Sequence, residues 1–90
     1  MIRDILVLAC STDHPFARKS SVAVTELNDQ CFVMREAGSG TRELFESFIR
    51  RHRLHIRTAF EETTPDAILN AVKINGCLAV ISLRLLERDL

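Results

Sequence analysis

Residues 35 to 42, reading Arg35, Glu36, Ala37, Gly38, Ser39, Gly40, Thr41, Arg42, hold the densest set of groups able to grip a ligand. An apolar run ends at Arg35, two glycines permit a tight turn, and two hydroxyl residues stand where a helix begins. A helix N-terminus offers unpaired N–H groups and a partial positive charge, which suits an anion. The hydroxyls of Ser39 and Thr41 could add donors, and Gly40 leaves the approach open. The same residues also fit an ordinary hydroxyl N-cap with glycines serving the loop, and spacing alone does not separate the two readings. Arg42 could meet an anion or lie in solvent. Arg35 could reach a crevice or pair with Glu36 or Glu61, and the structural alternative is favoured for each arginine.

Thr63, Thr64 and Pro65 repeat the arrangement further on. Thr64 as N-cap with Pro65 at the first helical position explains itself as a cap. Two such junctions on adjacent parallel strands would open on one crevice, the place where open α/β sheets bind ligands. Other reactive residues lack partners. His14 precedes Pro15 and reads as a turn residue, while His52 and His55 straddle a helix end and a strand start. Glu61 and Glu62 would point to opposite faces of a strand and so would not share a substrate. No catalytic or metal-ligating set emerges, and no cofactor is implied. Cys10, Cys31 and Cys77 are odd in number and lack metal or CxxC spacing. They read as small buried hydrophobes in a reducing compartment, with no disulfide and no redox role.

The elements that must position these groups follow from pattern. Asp4 to Cys10 is a short aliphatic run that reads as a buried strand, stopped by the turn chemistry of Ser11 to Pro15. Ser21 to Val24 is a brief extended piece, and Thr25 caps one helical turn. Cys31 to Arg35 is a second strand. A helix from about Thr41 to His52 carries Leu44, Phe45, Phe48 and Ile49 as its apolar stripe. Ile56 to Glu61 alternates as a strand. A helix from Pro65 presents Ile68, Leu69 and Val72 and ends at Asn75-Gly76. Cys77 to Ser82 forms the last strand, and Leu83 to Leu90 a short terminal helix. The order predicts one α/β domain over residues 1–90 whose later strands are parallel.

Charge and composition narrow the function. Twelve basic residues balance twelve acidic ones, so the chain lacks the positive surface that phosphate contacts with DNA require. With no Trp and no Tyr, it also lacks a stacking platform for bases. The longest apolar run is too short to span a membrane, and no export signal is legible, so a cytoplasmic location is expected.

An ordered set of short signals resembles a known family. Leu6-Val7-Leu8, His14-Pro15-Phe16-Ala17, Leu27, Phe32-Val33, Arg35-Glu36 and Gly38 to Arg42 look like the effector domain of LysR-type transcriptional regulators. The likeness continues through Thr64, Ile68, Val72 and Ala79 to Ser82, and covers about Asp4 to Glu87. It implies one lobe of a type 2 periplasmic-binding-protein-like fold, a mostly parallel sheet flanked by helices. The chain resembles the second lobe, with its first strand as the incoming crossover; the DNA-binding domain and the first lobe are absent. Ser39 and Thr41 match the family's cleft-facing loop, and Thr64 matches a hydroxyl residue that faces the effector. Where the family commonly has two glycines before the last strand, this chain has Asn75 and Cys77.

The resemblance implies a regulatory sensing module that is not an enzyme. It supplies half of an inter-lobe cleft for a small anionic effector, held by Ser39, Gly40, Thr41, Arg42 and Thr64, with Arg35, Thr63 and Cys77 as further candidates. DNA would be met only through the missing helix-turn-helix, and homo-oligomers are usual in the family. A lone lobe should expose apolar surface and self-associate. The alternative reading is a lobe of a periplasmic-type solute-binding protein.

Overall fold

The aliphatic and β-branched runs form four strands: β1 (Leu6–Ala9), β2 (Cys31–Arg35), β3 (Arg57–Glu62) and β4 (Leu78–Ser82). Two α-helices join the later strands, α1 (Gly40–Arg51) between β2 and β3 and α2 (Pro65–Asn75) between β3 and β4. These positions come from a computed structural model that describes residues 6–82. The terminal helix expected over Leu83 to Leu90 lies outside the described residues. The sheet order is β1-β4-β2-β3. β2 is parallel to both β3 and β4, whereas β1 runs antiparallel to β4 with Leu6 opposite Ser82.

Alternation along β2 divides the core in two. Phe32 and Met34 join Leu27, Phe45, Leu54 and Leu78 on the face covered by α1. Val33 joins Ile68, Ala71, Val72, Cys77 and Ala79 on the face covered by α2. Phe32 and Leu78 are fully buried, and each such side chain contributes roughly 1.5–3 kcal/mol through apolar burial. The chain leaves β2 over one face and leaves β3 over the other. The C-terminal ends of these adjacent strands therefore open between a helix above the sheet and a helix below it.

Several local expectations are revised. The stripe on α1 is narrower than its periodicity predicts: Phe45 is buried, Phe48 and Ile49 are half-buried, and Leu44 is exposed. On α2, Ala71 takes the buried place expected of Leu69, which faces solvent. Thr25 is not a cap, because its 3-10 turn spans Val24–Leu27 and begins at Ala23, whose N–H donates to the Glu26 carboxylate. A second 3-10 turn, Pro15–Arg18, follows His14, whose Nδ1 accepts from the Phe16 N–H at 3.0 Å. β3 is an exposed edge strand, and its register against β2 shifts between Phe32 and Val33, so Ala59 is left over. Its charged residues Arg57, Glu61 and Glu62 suit an edge that must not recruit another strand.

The cysteines require the largest correction. They were expected to be unpaired. Instead the sulfurs of Cys31 and Cys77 lie 2.50 Å apart, paired as a disulfide, with their Cα atoms 4.9 Å apart. Cys10 is free and half-buried. Sequence spacing could not foresee the pair. Two residues 46 positions apart in sequence come together only because β4 inserts beside β2 instead of adding to the edge beyond β3.

Candidate functional site

The loop after β2 makes a single turn before α1 begins. Gly38 adopts φ 93°, a conformation that side chains resist. The Ser39 N–H donates to the Glu36 carbonyl at 3.2 Å. Ser39 is the N-cap of α1, and its Oγ accepts from the Arg42 N–H at 3.4 Å. Its carbonyl takes the Glu43 N–H at 3.0 Å. The N–H groups of Gly40 and Thr41 meet no acceptor among the described residues. They stand at the positive end of the α1 dipole.

Arg42 reaches back from the first turn of α1 across the ends of both strands. Its Nη1 donates to the Arg35 carbonyl at 2.8 Å and to Glu61 Oε2 at 2.9 Å, and its Nε lies 3.6 Å from Glu46 Oε1. The hydrogen bond to Glu61 raises the guanidinium's already high pKa further. One side chain thereby ties the end of β2 to the end of β3. Arg35 pairs with Glu36 at 3.6 Å. Its Nε, and Oε2 of Glu36, are buried without a hydrogen-bond partner among the described residues. Buried polar atoms are usually satisfied, so such a pair marks a place where a further group can bind.

Arg35, Thr41 and Arg42 line one small hollow with Val33, Met34, Phe45 and Val80. Thr64, at the second junction, is the N-cap of α2, and its Oγ1 accepts from the Ala67 N–H at 3.2 Å. Thr63 and Thr64 are both exposed, at the same edge of the sheet. The structure thus gathers Arg35, Ser39, Gly40, Thr41 and Arg42 closely, and sets Thr63 and Thr64 at the end of the neighbouring strand. It does not bring Cys77 to them. Cys77 precedes β4 at the opposite end of the parallel strands, with its side chain turned into the α2-face core and only 2% exposed.

Glu61 is the functional neighbour that sequence reading placed differently. It was one of two expected partners of Arg35; Arg35 takes the other, Glu36, and Arg42 takes Glu61. Arg42, expected to meet an anion or lie in solvent, instead pairs with Glu46 along its own helix and with Glu61 through the β2–β3 register. A larger hollow of about 450 Å³ lies elsewhere, between β1, the segment around Ser20 to Val24 and α1. Its walls are mainly apolar, and it includes none of the hydroxyl or arginine residues above. Among the described residues no group of His, Cys, Asp and Glu could hold a metal ion, and no helix is long and apolar enough to cross a membrane.

A mixed sheet with a helix on each face, and with hydroxyl-capped helix starts at one edge, belongs to the type 2 periplasmic-binding-protein-like class. The regulatory domain of Synechocystis PCC6803 CcmR, in complex with 2-PG, has this architecture. It matches with a TM-score of 0.84 and 37% identity over 92% of this chain and 40% of that one. The effector binding domain of QuiR, in complex with shikimate, shares the fold, with a TM-score of 0.81 at 17% identity over 90% of this chain and 39% of that one. A sequence model of the LysR substrate binding domain matches residues 1–90, and the chain belongs to that family. It is 36% identical over 85 residues to a RuBisCO operon transcriptional regulator of Allochromatium vinosum, covering 94% of this chain and 28% of that protein. It is 31% identical over 90 residues to the HTH-type transcriptional regulator CysL of Bacillus subtilis, covering 99% of this chain and 30% of that protein. The chain thus spans less than a third of the length of these curated relatives.

Proposed function

We propose that residues 1–90 form the second lobe of a LysR-type effector domain and contribute half of a cleft for a small anion. The observation that carries this reading is the start of α1. There the free N–H groups of Gly40 and Thr41 share an edge with the unpartnered Nε of Arg35 and the Thr41 hydroxyl. All are donors, and the α1 dipole adds to them. Ser39 and Arg42 have their contacts within the lobe and hold the loop in shape, while Thr64 and Thr63 supply hydroxyls from the neighbouring strand end.

Carboxylates set the selectivity. Glu36 and Glu61 stand beside the arginines. A bulky polyanion would meet them, whereas a compact anion can sit on the N–H groups alone. The CcmR relative, solved with 2-PG, supports a ligand of this size and charge. In the complete regulator the effector would favour one arrangement of the two lobes by binding it more tightly, and DNA would be met through a separate helix-turn-helix. This role is non-catalytic and cytoplasmic, in a homo-oligomer, and it requires no cofactor. Homology to transcriptional regulators favours it over a periplasmic solute-binding lobe.

Thermal unfolding in the presence of 2-PG, sulfate and a dicarboxylate tests the reading, because a ligand that binds only the folded chain raises the midpoint. Binding by this lobe predicts a rise that grows with concentration, that Thr41→Ala reduces, and that Glu61→Gln enlarges by removing a competing carboxylate. A midpoint indifferent to all three anions, or a rise untouched by either substitution, would remove the assignment of the site to this lobe.

A further inference from the structure

Cys31 opens β2 and Cys77 immediately precedes β4. The first registered pair of these parallel neighbours is Phe32 with Leu78, so the two cysteines stand side by side one position earlier. Their Cα separation of 4.9 Å falls inside the window of roughly 4.4–6.8 Å that disulfides occupy. Both belong to the α2 face: Cys77 is a buried member of the core cluster there, and Cys31 packs against it from a half-buried position. Cys10 packs with the cluster on the other face and cannot compete for either.

Both oxidation states are accommodated. The Asn75 carbonyl lies 3.8 Å from Cys77 Sγ, a weak acceptor for the thiol when it is reduced. Arg57 is registered against Cys31 on β3, but its Nε donates to the Asp29 carbonyl at 3.2 Å. Cys31 is the better exposed partner and the one a small thiol reagent reaches first.

We propose that Cys31 and Cys77 are a reversible dithiol–disulfide pair, a thiol-modification site at the end of the central strands opposite the anion site. With a small disulfide such as oxidised glutathione as oxidant, the Cys31 thiolate attacks one of its sulfurs. A mixed disulfide forms and one glutathione thiolate leaves. The Cys77 thiol then loses its proton, attacks the Cys31 sulfur and expels the second glutathione. Two electrons pass from the protein to the oxidant, and the two protein protons end on the two glutathione thiols. Closure cross-links a loop that contains β2, α1, β3, α2 and both helix starts of the anion site. Opening it returns those elements to a longer, freer chain.

The test uses the full chain, first reduced with dithiothreitol and then held in graded mixtures of oxidised and reduced glutathione. Thiols are alkylated after denaturation and located by mass spectrometry. Cys31 and Cys77 are expected to lose alkylation together, as one cross-linked pair, while Cys10 stays alkylated. Native dithiothreitol restores both, and the oxidised form melts at least ~5 °C higher. A Cys10→Ser variant keeps this behaviour. Persistent alkylation of Cys31 and Cys77 in the most oxidising mixture would overturn the proposal. So would stable separate glutathione adducts, pairing with Cys10, or a cross-link that native dithiothreitol cannot open. These readings come from the unsubstituted chain and do not depend on whether a Cys31→Ser variant folds.

Discussion

Ser39 and Thr64 each spend their hydroxyl oxygen on a backbone N–H of their own helix, at 3.4 and 3.2 Å. The plain cap, one of two readings open from the sequence, is therefore present at both sites, and an anion would add to it without replacing it. Thr41 differs, because its side chain accepts no hydrogen bond within the helix start and lines the hollow beside Arg35. Ser39→Ala and Thr64→Ala should each cost about 1 kcal/mol of stability in urea unfolding. Thr41→Ala should cost less than ~0.5 kcal/mol, as surface changes usually do. If Thr41→Ala were as destabilising as the cap deletions, its hydroxyl would be structural and unavailable to a ligand. The residue types at this loop were readable in the sequence because each has a conformational reason to be there. The partner of Arg42 was not, since Glu61 arrives from another strand.

Glu26 makes a pH-dependent contact of the same local kind. Its carboxylate takes hydrogen bonds from the Lys19 ammonium and the Ala23 N–H, which hold its pKa below the ordinary carboxylate value. A depressed folded-state value means that the contribution is complete above the unfolded pKa of ~4.3 and is lost as pH falls through the folded one. A carboxyl-carbon NMR titration should place the midpoint of Glu26 below the ordinary glutamate value. A midpoint at or above that value would show that the Lys19 contact does not persist in solution.

At the scale of elements, the strands and both helices were legible because their apolar residues recur with the right period and because Thr64-Pro65 and Gly76 punctuate α2. The C-terminal signals of the two helices make a useful contrast. Gly76 follows α2 at φ 67°, as its residue type predicts, and a Cβ there would meet nothing within 4 Å. Arg53, just beyond α1, takes φ 54° although nothing in its type advertises it. It turns the chain so that Leu54 enters the core, with the Leu54 N–H donating to the Ile49 carbonyl at 3.0 Å. Gly76→Ala should therefore destabilise by roughly 1–2 kcal/mol for backbone reasons alone, and Arg53→Gly should be neutral or stabilising by up to ~1 kcal/mol. Equal losses at both positions in chemical denaturation would mean that side-chain contacts, not φ, decide these ends. Edge position, the β2–β3 register shift and the exposure of Leu44 and Leu69 depend on what packs against each element, and a single sequence does not carry that.

At the scale of the whole molecule, the sheet order explains both special places. Inserting β4 between β1 and β2 sets Cys77 against Cys31 at one end of the parallel strands, and the β2 and β3 termini open between two helices at the other end. Sequence reading reached the open end through its glycines and hydroxyls. It missed the paired cysteines, because strand order, unlike strand identity, is a long-range property. Leu44, Phe60, Leu69 and Ile74 remain exposed. Sedimentation at rising concentration should show self-association of the isolated chain through such surface, and a monomer at every concentration would count against it.

The proposed anion site is the start of α1. Amide NMR spectra of the chain titrated with 2-PG test it most directly, because the two N–H groups in question are themselves the reporters. An anion seated there should give saturable shifts largest at Gly40 and Thr41, smaller ones at Ser39, Arg42 and Thr64, and none at Cys77. Saturable shifts centred on any other part of the chain, or unmoved Gly40 and Thr41 signals in a folded sample, would contradict it.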